Sequence, residues 1–253
     1  CLELKKNMKG IKDKFPHLPE RIAGLRELAY NLWWSWHPEG RELFKLLHRQ
    51  GWYLSNHNPV KMLNQMDAHM LKAASTDSHF LRHYDSVMAR FQGYMEPATS
   101  WFCAGSREPE RCAIAYFSAE YGLHHALPFY AGGLGFLAGD YLKECSDLGI
   151  PLVGVGFMYP QGYLRQMVSP DGWQVGACEM LDRENAPIHK LLDEDGNPIS
   201  IRVPVMDPPI ILEVWMVQVG RTKLYLIDTS SEANEPQNRT ISDRLYTGDR
   251  EMR

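Results

Sequence analysis

A cluster of glycines at the start of a helix-like segment constrains this chain more than any other feature. Residues 130–149 read YAGGLGFLAGDYLKECSDLG, and Gly132, Gly133 and Gly135 stand before apolar residues at helical spacing. The apolar positions that the spacing assigns to one face are Leu137, Tyr141, Leu142, Cys145 and Leu148. The pattern therefore predicts an α-helix that begins at the glycines.

Two apolar segments flank this helix and read as strands. Residues 112–120, CAIAYFSAE, predict a buried strand before it, and residues 151–159, PLVGVGFMY, predict another after it. Gly149 is suited to cap the helix, and Pro151 cannot continue it. A strand, a glycine loop, a helix and a second strand together predict a βαβ unit, in which ligands bind at the carboxyl ends of the strands.

The glycine loop predicts a place for an anion. The N–H groups of a first helical turn have no partner inside the helix, and the positive end of the helix dipole lies there. Phosphate is the natural ligand for such a site. However, the order G-G-x-G is neither the dinucleotide G-x-G-x-x-G pattern nor a P-loop, so a turn that only packs a helix onto a sheet explains the motif equally well.

Composition excludes several classes of protein. The 253 residues are 44% hydrophobic, enough for a substantial core, and 27 basic against 31 acidic side chains leave no electrostatic footprint for nucleic acid or an anionic membrane. Five separated cysteines without a C-x-x-C pair fit a reducing, cytoplasmic compartment. No apolar run is long enough to span a bilayer. Because the chain begins at Cys1 and stops within a charged segment, we expect a fragment.

The first 96 residues predict a helical region. Apolar residues at helical spacing between Leu18 and Trp36 form a broad stripe, which indicates a heavily buried helix. Pro38 is suited to begin the next helix, and Gly51 is predicted to close it. Asn58 and Asp77 are predicted to cap two further helices.

Four tryptophans in this region allow two interpretations. Trp33, Trp34 and Trp36 lie close together, and Trp52 follows. Aromatic side chains of this kind can stack on sugars. Large aromatics at helical spacing more often serve the interior, so packing in the core is the favoured interpretation.

Residues 97–253 predict the α/β part of the chain, because proline, glycine and polar residues after position 96 separate it from the helical pattern. After the βαβ unit, turns are predicted at residues 169–172 and 195–198. Apolar segments on both sides of Gly220 predict antiparallel strands added to the sheet. A short helix is predicted near residues 241–245.

With these segments identified, the chain resembles the α-glucan phosphorylases, the glycogen, starch and maltodextrin phosphorylase family, in its bacterial and archaeal form. LRELAYNLWWSWHPEGRELF and HNPVKML are similar to the N-terminal region of that branch. The segment from FSAEYGLHH through the glycine loop to GYLRQ is similar to the block that starts the family's first nucleotide-binding-like domain. LYTGDREMR at the end is similar to a later segment of that domain.

The resemblance implies a GT-B architecture of two Rossmann-like domains that face each other across a cleft. The chain would hold the helical N-terminal region, residues 1–96, and part of the first Rossmann-like domain, residues 97–253. Pyridoxal phosphate would be held by a lysine of the second domain, outside this chain. In the implied reaction, inorganic phosphate cleaves a terminal bond of an α-1,4-glucan and gives glucose 1-phosphate. The fragment alone is expected to be inactive, and a homo-oligomer is compatible with the resemblance.

The resemblance also implies binding residues, whereas it assigns no catalytic residue in this chain. The positions that match the family's phosphate and glucose site are Gly132, Gly133, Leu134, Gly135, Glu120 and Asp249. Glu120 also has a case of its own, because it directly follows a predicted strand, at the mouth of the sheet. His124 and His125 are interpreted as structural, since two adjacent histidines without further ligands make a poor metal site, and no metal is expected.

Two positions depart from the animal and plant members of the family. Tyr121 is followed by Gly122 and Leu123, where those enzymes have an aromatic residue that helps contact the cofactor. Phe136 stands where they have an arginine. The resemblance therefore implies a variant site whose cations come from elsewhere.

Two other functions stay open at the level of sequence. Glycogen and starch synthases share the GT-B fold and a similar glycine loop, but a lysine normally precedes their glycines. Residues 127–131 read LPFYA and contain no lysine. The other alternative is a noncatalytic carbohydrate-binding module with the tryptophan-rich helices as its binding surface.

Overall fold

The computed structural model describes residues 14–105 and 113–246 of the chain. These residues form a mixed α/β fold in which a series of helices precedes a sheet, and one more helix connects the first two strands. The helices are α1 (Gly24–Tyr30), α2 (Trp33–Trp36), α3 (Pro38–Leu47), α4 (Arg49–Leu54), α5 (Pro59–Gln65), α6 (Ala68–Ala74), α7 (Ser78–Met95), α8 (Trp101–Gly105) and α9 (Gly133–Leu148). Two short 3-10 helices lie at Glu20–Ile22 and Pro97–Thr99.

The main sheet combines parallel and antiparallel strands. The strands within the described residues are β1 (Ile114–Phe117), β2 (Leu152–Phe157), β3 (Gln161–Val168), β4 (Gln174–Met180), β5 (His189–Lys190), β6 (Ser200–Val203), β7 (Ile210–Val219) and β8 (Thr222–Asp228). The strand order is β1-β2-β8-β7-β5, with β6 also paired to β7, and β3 and β4 form a separate hairpin. The pairs β1–β2 and β2–β8 are parallel, whereas β8–β7 is antiparallel.

The structure confirms the predicted βαβ unit and the added antiparallel strands. Strands β1 and β2 are parallel neighbours, and α9 is the helix between them. Gly149 caps α9 with a left-handed φ of 71°, which glycine adopts without a steric penalty. Gly220 makes the turn between β7 and β8.

The predicted helix caps are confirmed, and two other local predictions are wrong. The side chain of Asn58 accepts hydrogen bonds from the N–H groups at the start of α5, and that of Asp77 does the same for α7. Gly51 does not close a helix, because α3 ends at Leu47 and Gly51 lies inside α4. Residues 241–245 form turns rather than a helix.

The prediction of a buried strand at residues 112–120 is wrong in its burial and its length. Strand β1 covers four residues, and the Phe117 side chain at its end is 74% exposed. The physical reason for this exposure is the position of β1 at the edge of the sheet as described. An edge strand has a neighbouring strand on one side only, so fewer side chains lie beside it on each face. The apolar run therefore marks a strand without showing that both of its faces are covered.

The buried face of α9 also differs from the predicted stripe. Leu142 and Cys145 are buried as expected, but Leu137 and Tyr141 are 65% and 46% exposed. The buried face instead includes small residues, Gly135, Ala138, Gly139 and Ser146. Small side chains allow the helix to approach the neighbouring backbone closely. The spacing of large apolar residues in the sequence does not reveal a helix face of this kind.

One hydrophobic core joins the helical region to the sheet. Trp33, Trp34 and Trp52 are at most 5% exposed, and they belong to the same buried cluster as Leu142 of α9 and Leu224 of β8. The ring of Trp34 makes edge contacts with Trp52 at 5.8 Å between centroids. The tryptophan cluster is therefore part of the interior, in agreement with the favoured interpretation.

Polar contacts reinforce the same junction. The side chain of Asn31 donates to the carbonyl oxygen of Gly220 at 3.0 Å and accepts from its N–H at 2.8 Å. The carboxylate of Asp147 accepts from Tyr94 at 2.7 Å and from the indole of Trp36 at 3.1 Å. The domain boundary at residues 96 and 97 stays a prediction, and the two parts share a core across it.

Gly139 provides a test of the close packing of α9. A Cβ at this position would collide with the backbone carbonyl of Gly122, which cannot move as a flexible side chain would. We expect Gly139→Ala to lower the free energy of unfolding by about 1–3 kcal/mol, measured by urea denaturation.

Gly93 is the matched control for this substitution. It lies inside α7, and an added Cβ would meet no atom within 4 Å. Gly93→Ala should therefore raise the free energy of unfolding by about 0.5–1 kcal/mol. Equal effects of the two substitutions would show that α9 does not pack as described.

Candidate functional site

The candidate site lies at the carboxyl edge of the parallel strands. Because β1, β2 and β8 are parallel neighbours, the segments that follow them meet at one edge of the sheet. The segment after β1 leads through Glu120 to the glycine loop, residues 130–135, and into α9. The sequence therefore brings the loop and the predicted carboxylate to the edge where α/β proteins bind ligands.

The carboxylate of Glu120 is bound to the glycine loop itself. Its Oε2 atom accepts hydrogen bonds from the N–H groups of Ala131 at 2.9 Å and Gly132 at 3.2 Å. Its Oε1 atom accepts a hydrogen bond from the hydroxyl of Tyr246 at 2.7 Å. The residue is only 2% exposed, so this carboxylate fixes the loop from inside rather than facing open solvent.

These contacts determine the charge state of Glu120. Burial acts to raise its pKa, but the hydrogen bonds from Ala131, Tyr246 and Gly132 favour the ionised form and together hold the pKa below its usual value. The site consequently contains a buried carboxylate that is ionised at neutral pH.

The next two N–H groups of the loop remain available to a ligand. Gly133 and Leu134 are the first residues of α9, so their N–H groups have no acceptor inside the helix. Among the described residues, no other group accepts from them. A Cβ added at Gly132 or Gly133 would meet no atom within 4 Å, so the space beside the loop is open. This geometry suits an oxyanion such as phosphate.

The glycines of the loop have two different structural roles. Gly132 and Gly133 face open space, whereas Gly135 lies against the backbone of Gly122, whose N–H donates to the carbonyl oxygen of Gly135 at 2.7 Å. Gly139, one turn further along α9, packs on the same segment. Close packing of the helix and access to the loop therefore depend on separate glycines.

The structure places the other predicted residues as follows. Leu134 and Phe136 are 50% and 55% exposed beside the loop, and the ring of Phe136 contacts that of Tyr130 at 5.1 Å. Asp249 lies outside the described residues.

The two histidines before the loop have structural surroundings. The ring of His124 packs against that of Trp34 at 4.8 Å and against that of His125 at 3.9 Å. Burial, aided by the neighbouring His125, lowers the pKa of His124 to about 3, so this ring is neutral at physiological pH. His125 binds the carbonyl oxygen of Asn56 at 2.6 Å.

Sequence reasoning missed three members of the site. The backbone of Ala131 and the hydroxyl of Tyr246 hold Glu120, and Tyr246 is 126 positions away along the chain. No local pattern predicts such a long-range contact. Gly122 could have been found, because Gly135 and Gly139 are one helical turn apart and require a partner segment without side chains.

The amino-acid sequence was also compared with known proteins. Residues 18–127 match a family described as "Protein of unknown function (DUF3417)". The chain is 45% identical over 230 residues to glycogen phosphorylase of Aquifex aeolicus. This match covers 91% of the chain and 32% of the Aquifex protein. The chain belongs to the α-glucan phosphorylase family and corresponds to the N-terminal part of these relatives.

Two further phosphorylases support this assignment. Maltodextrin phosphorylase of Thermococcus litoralis is 41% identical over 93% of the chain, and glycogen phosphorylase of Mycobacterium tuberculosis is 38% identical over 94%. The chain spans about a third of the length of these curated relatives, 28–32% of each. No helix in the described ranges is long and apolar enough to cross a membrane.

Replacing Glu120 tests whether its ionised carboxylate holds the loop. Since its pKa is lowered in the folded state, the ionised form stabilises the fold above the unfolded pKa of about 4.3, and this contribution is lost as the pH falls through the lower folded value. We expect Glu120→Gln to lower the free energy of unfolding by about 1.5–3 kcal/mol at pH 7. Urea denaturation at several pH values should show the difference shrinking below pH ~4.

The control is Glu144→Gln, which changes an exposed glutamate of the same helix α9. It should leave the stability within about 0.5 kcal/mol of the original. A Glu120→Gln protein as stable as the original at pH 7, or a difference that persists unchanged in acid, would contradict the role of the carboxylate.

Proposed function

We propose that this chain contributes one wall of the active site of an α-glucan phosphorylase. In the proposed reaction, inorganic phosphate cleaves a terminal α-1,4-glucosidic bond of a glucan and glucose 1-phosphate is released. The observation that carries the proposal is the pair of free N–H groups of Gly133 and Leu134, which open onto unfilled space at the carboxyl edge of the sheet. The relatives named glycogen and maltodextrin phosphorylase support the choice of reaction.

The loop is suited to stabilise negative charge on a phosphate oxygen. Its N–H donors are fixed in direction, since Glu120 holds the two preceding N–H groups of Ala131 and Gly132. Donors that are already in place need no reorganisation when charge develops in the transition state. The ionised Glu120 also prevents the loop from rotating its amides away from the site.

Pyridoxal phosphate is the cofactor that we propose for the complete enzyme. The first-turn amides and the open space beside Gly132 and Gly133 fit a phosphate-bearing group, whether that group is substrate or cofactor. When bound, the cofactor would supply a phosphate that relays a proton. The contribution of this chain is to orient phosphate oxygens through the N–H groups of Gly133 and Leu134. The lysine that anchors the cofactor is proposed to lie outside this chain.

Several finer features belong to the same proposal. We propose a GT-B architecture in which residues 97–253 form part of the first Rossmann-like domain and residues 1–96 a helical region ahead of it. The glycine loop would then face a second domain across a cleft, and that domain would supply the cations. Asp249 is proposed to lie in a loop beside this cleft, and a cytoplasmic location and a homo-oligomer are compatible with the proposal.

The alternative of a carbohydrate-binding module on the tryptophan-rich helices has little support. Trp33 and Trp34 are at most 1% exposed, so their faces cannot stack on a sugar without unfolding of the core. A synthase would use a nucleotide sugar instead of free phosphate, and the assay below separates it from a phosphorylase.

The decisive assay measures release of glucose 1-phosphate from maltooligosaccharide. We expect the polypeptide encoded by the complete gene to release it in the presence of phosphate, and the 253-residue chain alone to release none. We also expect Gly133→Val in the complete polypeptide to lower kcat by about 100-fold, because the side chain would obstruct the approach of phosphate to the loop.

The Gly133→Val protein should fold normally, which makes the assay interpretable. Gly133 has no positive φ, and its added side chain enters open space. Gly93→Val, on an open face of α7, is the matched control and should leave kcat unchanged. Phosphorolysis that is insensitive to Gly133→Val would refute the role of the loop. Transfer of a glucosyl group from a nucleotide sugar to the glucan, without phosphorolysis, would refute the proposed reaction.

A further inference from the structure

A cleft that residues 130–135 of the glycine loop do not line lies between the helical region and the segment at the end of the β3–β4 hairpin. Its volume is about 160 Å³, well above the ~30 Å³ that one water molecule occupies in the liquid. Three separate parts of the chain line it, residues 55–61, 125–128 and 180–185. It is therefore large enough for a ring-sized ligand.

Hydrogen bonds hold the walls of this cleft in position. The side chain of Asn58 donates to the carbonyl oxygen of Asn185 at 2.7 Å, and Asn64 donates to the side-chain oxygen of Asn185 at 2.9 Å. His125 binds the carbonyl oxygen of Asn56 at 2.6 Å. These contacts connect all three segments, so the cleft has a defined shape in the structure.

Polar groups with unused hydrogen-bonding capacity line the cleft. The ammonium group of Lys61 makes no hydrogen bond or ion pair to the part of the chain that the structure describes. The side-chain amide of Asn56 is likewise without a described partner. The carboxylate of Asp182 accepts only from the two N–H donors of Asn185, at 2.7 and 3.3 Å, which leaves lone pairs unused.

The backbone beside these groups has an uncommon conformation. Asn56 and the following His57 have φ values of 54° and 58°, in the left-handed region that non-glycine residues adopt rarely. This conformation places the carbonyl of Asn56 where His125 binds it. The side chain of Asn56 is exposed and lines the cleft. The contact with His125 holds the backbone that carries it.

The combination of groups selects a neutral ligand with many hydroxyls. Lys61 contributes donors, Asp182 contributes acceptors, and their opposite charges balance, which disfavours an anion relative to a neutral molecule. The side chains of Ala126, Pro128 and Met180 add an apolar part to the wall. A sugar ring presents hydroxyls at its edge and C–H groups on its faces, and so matches both kinds of surface.

We propose that this cleft binds one hexose ring of an α-glucan at a position separate from the free amides of the glycine loop. The identity of the glucan rests on the proposed function, whereas the sugar class rests on the cleft itself. Pro128 and Ala126 line the cleft and directly precede the loop in sequence. A sugar bound there would contact the segment that carries the loop.

The test is titration of the polypeptide encoded by the complete gene with maltotriose, monitored by NMR of the Met180 methyl group, which lies in the cleft wall. We expect maltotriose to shift the Met180 signal. Lys61→Met should weaken binding by about tenfold, because it removes a charged donor and keeps the length of the side chain. Lys72→Met, at an exposed lysine of α6, should leave the affinity unchanged.

Each other outcome has a defined meaning. If inorganic phosphate but not maltotriose shifts the Met180 signal, the cleft is an anion site and the proposal is wrong. If Gly133→Val rather than Lys61→Met abolishes maltotriose binding, the sugar lies at the glycine loop and the proposal is also wrong. Equal binding of a β-1,4-linked glucose trimer would contradict the proposed selectivity for an α-glucan. Failure of the proposed phosphorolysis would appear separately, in the glucose 1-phosphate assay.

Discussion

The candidate site depends on one buried carboxylate and the backbone amides that it binds. Glu120 occupies the N–H groups of Ala131 and Gly132, and so determines which amides of the loop remain for a ligand. Without this acceptor, the N–H groups of Ala131, Gly132, Gly133 and Leu134 would be four adjacent donors with no acceptor in the described residues. The carboxylate occupies the first two of these donors, so those of Gly133 and Leu134 remain for a ligand at the candidate site.

The packing of α9 supports the same arrangement from the other side. Gly135 and Gly139 allow the helix to touch the backbone of Gly122, two residues after Glu120. The other end of the helix is anchored through Asp147, which accepts hydrogen bonds from Tyr94 and Trp36 of the helical region. The N-terminal helices therefore help to hold the orientation of the helix whose first turn forms the site.

Sequence reasoning predicted the local order of the elements well and the burial of their faces less well. The βαβ unit and the caps at Asn58, Asp77 and Gly149 depend on neighbouring residues, so a local pattern is sufficient to predict them. The exposure of β1 depends on its position at the edge of the sheet, which no local pattern contains. Glu120 was predicted only as a residue that faces the site. Its hydrogen bonds to Ala131 and Tyr246 arise from the tertiary fold, so no local pattern could predict them.

The most direct measurement of the central claim is an NMR titration of the amide N–H signals with inorganic phosphate. We expect saturable shifts of the Gly133 and Leu134 signals, since these donors are free. The Ala131 and Gly132 signals should shift much less, because Glu120 already accepts from them. Larger shifts at Ala131 and Gly132 than at Gly133 and Leu134, or no saturable shift in the loop, would contradict the claim.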